Sequence, residues 1–437
     1  MTIAEPGSST GSPDAVPASG ADSPPPPPRR VFPNTFAALS NNNFRLLLAG
    51  NTLSFASGQM QNLVRGVLAY QITESFVALG LLHLAQSTSG FIFTPLGGVI
   101  ADRVPKKTVI QSIQIFNMLN AFALALLAWA GMLGYEHLVI TTALAGAVNN
   151  VMTASRHTII ADMVGRDKLM NGIALNSSVQ NLMQLIGPGL GGLLIAFVNA
   201  TIAFVVMGVL YAGAVLFTVQ LPSKPFDAVE GAASPVKRSN GFRDLIDGFK
   251  YVARDMTIRT HILVNFGIVM LATPYSNLLP GFVDQVLGKG PAEQGVLMGV
   301  SGFGALVGTL LIASMPPRRR GRLLIAIGMV LAIALVAFSI STNYYVTLVI
   351  MMFIGAGISM RMAVGQVILQ TYSDEAYRGR TVSVWMTQYS IVSFGTFGVS
   401  FLAEWFGAQW AIGSMAGLLA LVMVYVWLFV PRMRHLD

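Results

Sequence analysis

The sequence predicts an all-α membrane protein of twelve transmembrane helices, because its composition is apolar and long apolar stretches recur along it. Of its 437 residues, 54% are hydrophobic and 11% are charged, whereas an average soluble domain carries about 25% charged residues. These charges are too few to cover soluble domains of this total length. Crossing a bilayer takes about 20 apolar helical residues. Stretches of that length lie at 45–71, 76–100, 109–133, 138–163, 171–198, 201–220, 259–283, 293–315, 323–341, 345–370, 381–405 and 409–430.

The longest connection divides these twelve stretches into six and six. Before the first stretch, a tail rich in Pro, Ser and Gly has too few bulky apolar residues to fold, so we expect it to be disordered. It lacks the apolar core of a signal peptide. The predicted organisation is a disordered cytoplasmic tail (1–35), a six-helix bundle (36–220), a cytoplasmic connection (221–258), a second six-helix bundle (259–430) and a short cytoplasmic tail (431–437).

The distribution of the 27 Lys and Arg residues predicts the orientation of the chain. Nearly all of them fall in the tails and in alternate connections, and Lys289 is the exception on the other side. Cytoplasmic loops carry such an excess of basic residues. We therefore expect a multi-pass protein of the plasma (cell inner) membrane with both termini in the cytoplasm. Charge spread over one membrane face argues against a nucleic-acid partner.

The second part of the 221–258 connection has the pattern of an amphipathic helix. Apolar residues recur at helical spacing, and charged residues occupy the other faces. Two alternatives stay open: this helix lies along the inner membrane surface, or it packs on the protein's own cytoplasmic loops. The apolar positions are Phe242, Leu245, Ile246, Phe249 and Val252.

Two short basic loops that contain proline, 101–107 and 316–322, each follow the second span of a half. Such internal repeats are typical of secondary transporters. The first loop closes the run Gly97-Gly98-Val99-Ile100-Ala101-Asp102-Arg103-Val104-Pro105-Lys106-Lys107.

This run resembles the loop 2–3 motif of the major facilitator superfamily, although Val104-Pro105 stands where a glycine is common. The resemblance implies two pseudo-symmetric six-helix bundles that work by alternating access. It also implies a gating element made of Gly97, Gly98, Asp102, Arg103, Lys106 and Lys107. In it the Asp102 carboxylate pairs with the start of span 11 in the outward-facing state.

Span 5 contains Gly187-Pro188-Gly189-Leu190-Gly191-Gly192, which formally reads GxGxxG. No strand precedes it, so a dinucleotide site is not expected. Gly187, Pro188, Gly191 and Gly192 resemble the core of the superfamily's exporter motif, with Val179 and Met183 replacing upstream glycines. The alternative is plain helix packing.

Three further segments are similar to the branch that contains siderophore (enterobactin) exporters and macrolide efflux proteins. They are Thr153-Ala154-Ser155-Arg156-His157, Leu278-Leu279-Pro280 and Tyr377-Arg378-Gly379-Arg380. The resemblance therefore implies an exporter.

Three arginines lie inside predicted spans, where a charge facing lipid costs on the order of 2.5–3.5 kcal/mol. In the superfamily, spans 1, 4, 7 and 10 line the central cavity, so the resemblance places these arginines on its wall. Polar residues recur on the same helical faces of spans 1 and 4. The alternative is that each arginine pairs with a polar neighbour or caps carbonyls. The predicted substrate cavity comprises Arg65, Asn62, Arg156, Asn149, Gln184, Asn265 and Arg361.

Carboxylates are scarce inside the spans. Glu404 lies near the outer end of span 11, and Gln59 stands where many drug exporters of the superfamily have an aspartate. His83 titrates near neutral pH and is the candidate proton site. We expect no cofactor and no metal, with H⁺ as the coupling ion.

These observations predict a secondary transporter that exports amphipathic small molecules by alternating access and proton antiport. Its expected partners are a small-molecule substrate and the lipid bilayer, and we expect a monomer. An alternative is an importer or exchanger of an organic anion, which the buried arginines favour. A remote alternative, a non-transporting receptor or membrane enzyme, has no catalytic constellation to support it.

Overall fold

The computed structural model describes residues 37–222, 241–315, 319–374, 377–434 and 436. Almost all of these residues are helical, and no strand occurs among them. The predicted tail and the first part of the 221–258 connection lie outside the described residues. The helices are α1 (Asn42–Thr73), α2 (Phe76–Arg103), α3 (Lys106–Trp129), α4 (Tyr135–Phe197), α5 (Ala200–Val219), α6 (Gly241–Arg254), α7 (Met256–Ala272), α8 (Pro274–Gln285), α9 (Pro291–Ser314), α10 (Arg320–Ile340), α11 (Tyr344–Tyr372), α12 (Arg378–Met386), α13 (Gln388–Phe406), α14 (Ala408–Phe429) and α15 (Pro431–Arg434).

Several helices begin where a side chain binds the first free backbone N–H groups. Asn41 accepts hydrogen bonds from the backbone N–H of Asn43 and Phe44. Asp255 and Asn343 cap α7 and α11 in the same way. Such caps satisfy donors that have no partner inside the helix, which fixes the start of each span.

Nine helical stretches among the described residues are long and apolar enough to cross a bilayer. The predicted count of twelve stays a prediction. Predicted spans 1, 4 and 11 are not among the nine: polar residues run along one face of α1, many side chains of the first half of α4 are outside the described residues, and span 11 is divided between α12 and α13 at Thr387. The nine are 76–93, 106–129, 171–197, 200–219, 256–285, 291–314, 320–340, 344–372 and 408–429.

Spans 4 and 5, which we expected as separate helices, form one helical run in α4. A straight helix of its 63 residues would be about 95 Å long. The run instead folds back on itself between its two halves. The evidence is that a Cβ added to Gly172 would lie 3.1 Å from Val164 Cγ2 and 3.2 Å from Ile160 Cγ2, although these residues would be more than about 10 Å apart along a straight helix. The connection contains no proline that would break the helical backbone, although Gly165 disfavours a helix there.

The helices pack as two groups that meet along a few pairs. Helices α1 to α5 pack on one another, and α7 to α14 form the second group. The groups meet mainly where α2 contacts α13 and α4 contacts α9, with smaller contacts of α8 on α1 and α2. These contacts include a hydrogen bond from Ser393 Oγ to Ser87 Oγ. We call the end with the Arg- and Lys-rich loops the basic end, and the other the opposite end.

Helix α6 packs on a loop of the chain itself. The Tyr251 ring stacks on Tyr377, with 4.4 Å between ring centroids. The Tyr251 hydroxyl accepts a hydrogen bond from Asp374 N at 3.1 Å. Ile246 and Phe249 remain exposed. One side of α6 is thus occupied by protein, and an apolar side is left for another surface.

Candidate functional site: a buried arginine cluster

A chain of buried polar side chains joins α7, α11 and the start of α13. Arg361 Nη1 donates a hydrogen bond to Asn265 Oδ1 at 2.5 Å. Asn265 Nδ2 in turn donates to Gln388 Oε1 at 2.8 Å. All three side chains are buried. The structure therefore brings together Asn265 and Arg361, two residues predicted for the substrate cavity.

His261 extends this cluster by one turn of α7. Its Nε2 lies 3.0 Å from the carbonyl oxygen of Gly365. A carbonyl can only accept, so Nε2 carries a hydrogen. The imidazole stacks on Trp385, with centroids 5.4 Å apart and planes inclined by 11°. Gly365 lacks the Cβ that would otherwise meet the Trp385 ring.

The helices that build the cluster carry almost no negative charge. Along the sequences of α7, α11, α12 and α13 the single carboxylate is Glu404. It lies at the opposite end, where Oε2 accepts hydrogen bonds from Phe76 N at 2.6 Å and from Ser75 Oγ at 3.1 Å. Glu404 therefore caps α2 of the other helix group, and α11 brings a guanidinium into a largely neutral interior.

Arg65 lies in the first helix group and has a different environment. Its side chain is buried, and among the described residues its Nε and Nη2 have no hydrogen-bond partner. Gly58, two turns earlier on the same face of α1, lies close to the Tyr211 hydroxyl of α5. This placement directs the Arg65 face toward α5.

The other predicted cavity residues are dispersed. Asn149 accepts a hydrogen bond at 3.1 Å from Asn117 of α3, inside the first group. Asn62 and Gln184 are exposed. Arg156 lies in α4, and its side chain is outside the described residues. A single cavity that joins all seven stays a prediction.

The loop 2–3 motif spans the end of α2 and the start of α3. The side chains of Asp102 and Arg103 and the surroundings of Gly97 and Gly98 are outside what the structure describes, so the gating role of these residues stays a prediction. Lys106 begins α3. Lys107 Nζ donates to the backbone oxygens of Val219, at 2.9 Å, and Leu221. A cation at a helix C-terminus is stabilising, so Lys107 ties α3 to the end of α5.

The span 5 motif lies inside α4, between α1 and α9. A Cβ on Gly191 would lie 3.1 Å from Met60 O of α1. Across the groups, a Cβ on Gly295 of α9 would lie 2.9 Å from Pro188 O. Gly187 faces α1 and Gly192 faces α9. Small residues thus permit close approach on two sides of one helix.

Sequence reasoning missed His261, Gln388 and Trp385. His261 and Asn265 are four residues apart on α7, which is a signal that a search for polar pairs on one face would detect. No spacing rule links them to Gln388 and Trp385, because those residues lie on other helices. The candidate proton site, His83, is half-buried on α2, and its role stays a prediction.

These features define a class, a helical membrane protein with buried polar side chains inside each of its two groups of spans. The chain belongs to the major facilitator family described as "Transmembrane secretion effector", whose model matches residues 33–437. Its members are transporters of small molecules and not enzymes.

Three relatives come from bacteria. The staphyloferrin A transporter of Staphylococcus aureus is 22% identical over 83% of this chain and 89% of that protein. The multidrug efflux pump Tap of Mycolicibacterium fortuitum is 24% identical over 85% and 91%. The enterobactin exporter EntS of Shigella boydii is 25% identical over 79% and 81%.

Solved structures share the fold. The nucleoside transporter NupG is 14% identical, with a TM-score of 0.69 over 89% of this chain and 100% of that one. A bacterial homologue of the lysosomal transporter Spinster, in an inward-facing conformation, is 15% identical, with a TM-score of 0.68 over 92% and 96%. The predicted superfamily and all-α fold are therefore confirmed.

Proposed function

We propose that this chain exports amphipathic small molecules across the plasma membrane by alternating access and proton antiport, with both termini in the cytoplasm. The Arg361–Asn265–Gln388 cluster is the observation that carries the proposal. It holds a buried cation of α11 in place through an amide of α7, and these helices correspond to spans 10 and 7, two of the cavity-lining spans of the superfamily. The siderophore and drug exporters among the relatives support the direction.

An importer or exchanger of an organic anion is the second candidate, and a specific observation favours it. Arg361 and Arg65 are both buried, while the helices around Arg361 carry one carboxylate, at their far end. A guanidinium binds carboxylates and phosphates through paired hydrogen bonds. An anionic group of the substrate would complement the charge of Arg361.

Flux through proteoliposomes tests the proposal. Vesicles are loaded with a panel of anionic and cationic amphiphiles, and efflux and uptake are measured with and without an imposed pH gradient. Antiport requires that a gradient accelerate movement of substrate against the flow of protons. Flux of a good substrate that ignores the gradient in both directions would contradict proton coupling.

The role of Arg361 is tested in the same vesicles. Arg361→Gln should weaken binding of an anionic substrate by about tenfold or more, because hydrogen bonds to charged groups contribute roughly 1.5–3 kcal/mol. Arg254→Gln, at an exposed position on α6, is the matched control. Unchanged affinity in the Arg361 variant would remove this residue from the site.

A further inference from the structure

His261 is a buried titratable side chain with one ring nitrogen in use. Nε2–H donates to the Gly365 carbonyl, which leaves the lone pair of Nδ1. Among the described residues, Nδ1 has no hydrogen-bond partner although the side chain is only 1% exposed. The ring therefore has a basic nitrogen, Nδ1, that is available to bind a proton within a packed interior.

The groups around His261 come from several helices. Arg361 of α11 binds Asn265, one turn after His261 on α7, and lies one turn before Gly365, whose carbonyl binds the imidazole. Tyr251 of α6 and Tyr372 of α11 bring phenols into the apolar cluster that lines this region, which includes Trp385 and Val384 of α12. In the described parts of α8, α10 and α13 the charged side chains lie near the helix ends, α14 carries none, and α15 follows the last span; these side chains are Asp284, Arg320, Arg322, Glu404, Arg432 and Arg434.

Burial of its charge is the main cost of an imidazolium at this position, and two neighbouring side chains act on it further. The face of an indole ring attracts a cation, and Trp385 stacks on the imidazole. The guanidinium of Arg361 repels it, and it belongs to the same hydrogen-bonded cluster through Asn265. A negative charge bound at Arg361 would offset that repulsion.

We propose that His261 is a proton-binding site, and that the charge held at Arg361 controls the binding of its second proton at Nδ1. By linkage, an anion at Arg361 and a proton at His261 then strengthen each other's binding, whereas a cation and the proton compete. The linkage to a bound substrate rests on the proposed function, whereas proton binding at His261 does not. The proposed antiport therefore follows for cationic substrates only, whereas an anionic substrate would move together with the proton.

The stacked indole provides a direct readout. Of the five tryptophans, the other four (Trp129, Trp405, Trp410 and Trp427) are exposed, so we replace them with Phe. Emission from Trp385 is then titrated against pH in nanodiscs. A protonated imidazole quenches a stacked indole more strongly than a neutral one, so we expect a single-proton quenching curve.

Variants assign that curve. His261→Gln should abolish it, and His137→Gln, at the start of α4, should preserve it. Loss of the curve in His83→Gln together with its persistence in His261→Gln would overturn the proposal.

The linkage to Arg361 is tested in the same tryptophan background. Arg361→Gln should show roughly tenfold tighter proton binding at His261, since a like charge close by disfavours protonation. Arg65→Gln should leave the pH of half-quenching unchanged, and no shift in the Arg361 variant would overturn the linkage.

A second measurement covers a His261 variant that does not fold. Spectra of ¹⁵N-labelled histidine are recorded for a chain that keeps His261 and has Gln at the other four histidines. We expect a bare Nδ1 resonance that moves to the protonated position as the pH falls. A ring that stays neutral throughout would overturn the proposal. Neither measurement needs a transported substrate, so each can fail independently of the flux assay.

Discussion

The two buried arginines of the described residues have opposite environments. Arg361 donates to Asn265, which is held in turn by Gln388, so the guanidinium has a fixed partner. Arg65 is equally buried, but its Nε and Nη2 have no partner among the described residues. A buried charge is stable only when hydrogen bonds replace its lost hydration. Burial alone therefore does not identify a binding residue. A buried guanidinium with hydrogen-bond partners indicates an organised site, whereas one without them destabilises the fold.

Of the three substitutions, replacement of Arg361, the arginine with a hydrogen-bond partner, should change the free energy of unfolding most. Arg361→Met leaves Asn265 Oδ1 buried without its donor, so we expect a loss of about 2–3 kcal/mol in the free energy of unfolding. Thermal unfolding of the purified protein in nanodiscs measures it. Arg254→Met, at an exposed position on α6, is the control. A melting temperature equal to that of the parent would contradict the environment described for Arg361.

Removing the poorly satisfied arginine should act in the other direction. Arg65→Met places a flexible apolar side chain where unpartnered N–H groups are buried, so we expect a gain of about 1–2 kcal/mol in unfolding free energy. The same thermal assay applies. A loss of stability comparable to that of Arg361→Met would show that Arg65 is held by partners, and the contrast between the arginines would disappear.

The smallest expected effect concerns the far end of the chain of hydrogen bonds. Gln388→Leu removes the acceptor of Asn265 Nδ2, and we expect a cost of about 1 kcal/mol, with weaker binding of an anionic substrate. Gln366→Leu, at an exposed position on α11, is the matched control. Equal melting temperatures and affinities for both variants would show that Gln388 does not orient Asn265.

Much of the fold follows from the sequence because a bilayer imposes a minimum length on every apolar stretch. The observed bounds of α5, α9 and α10 differ from the expected ones by a few residues. The continuous α4 was not foreseen, because hydropathy marks where a helix leaves the membrane and not whether the backbone stays helical outside it. The break at Thr273 had a signal, because Pro274 follows it and a proline lacks the N–H of a helical hydrogen bond, whereas no Gly or Pro adjoins Thr387.

The site was less predictable than the fold. Asn265 and Arg361 were expected to face one cavity, and they form a hydrogen bond. Their partner Gln388 lies 123 positions from Asn265 in the chain, and helical periodicity carries no information about such pairings. The first helix group shows the same limit, because Gln114 of α3 donates to Ser54 of α1, which no spacing on either helix indicates.

The carboxylate of Glu404 links the two helix groups at the opposite end, where it is in contact with solvent. It is anchored on the first backbone amides of a helix from the other group, and it is exposed. Separating the groups there would expose these amides and the carboxylate to water, and concentrated electrolyte would weaken their attraction beforehand. The medium bathing that face would thus adjust how readily the two groups part.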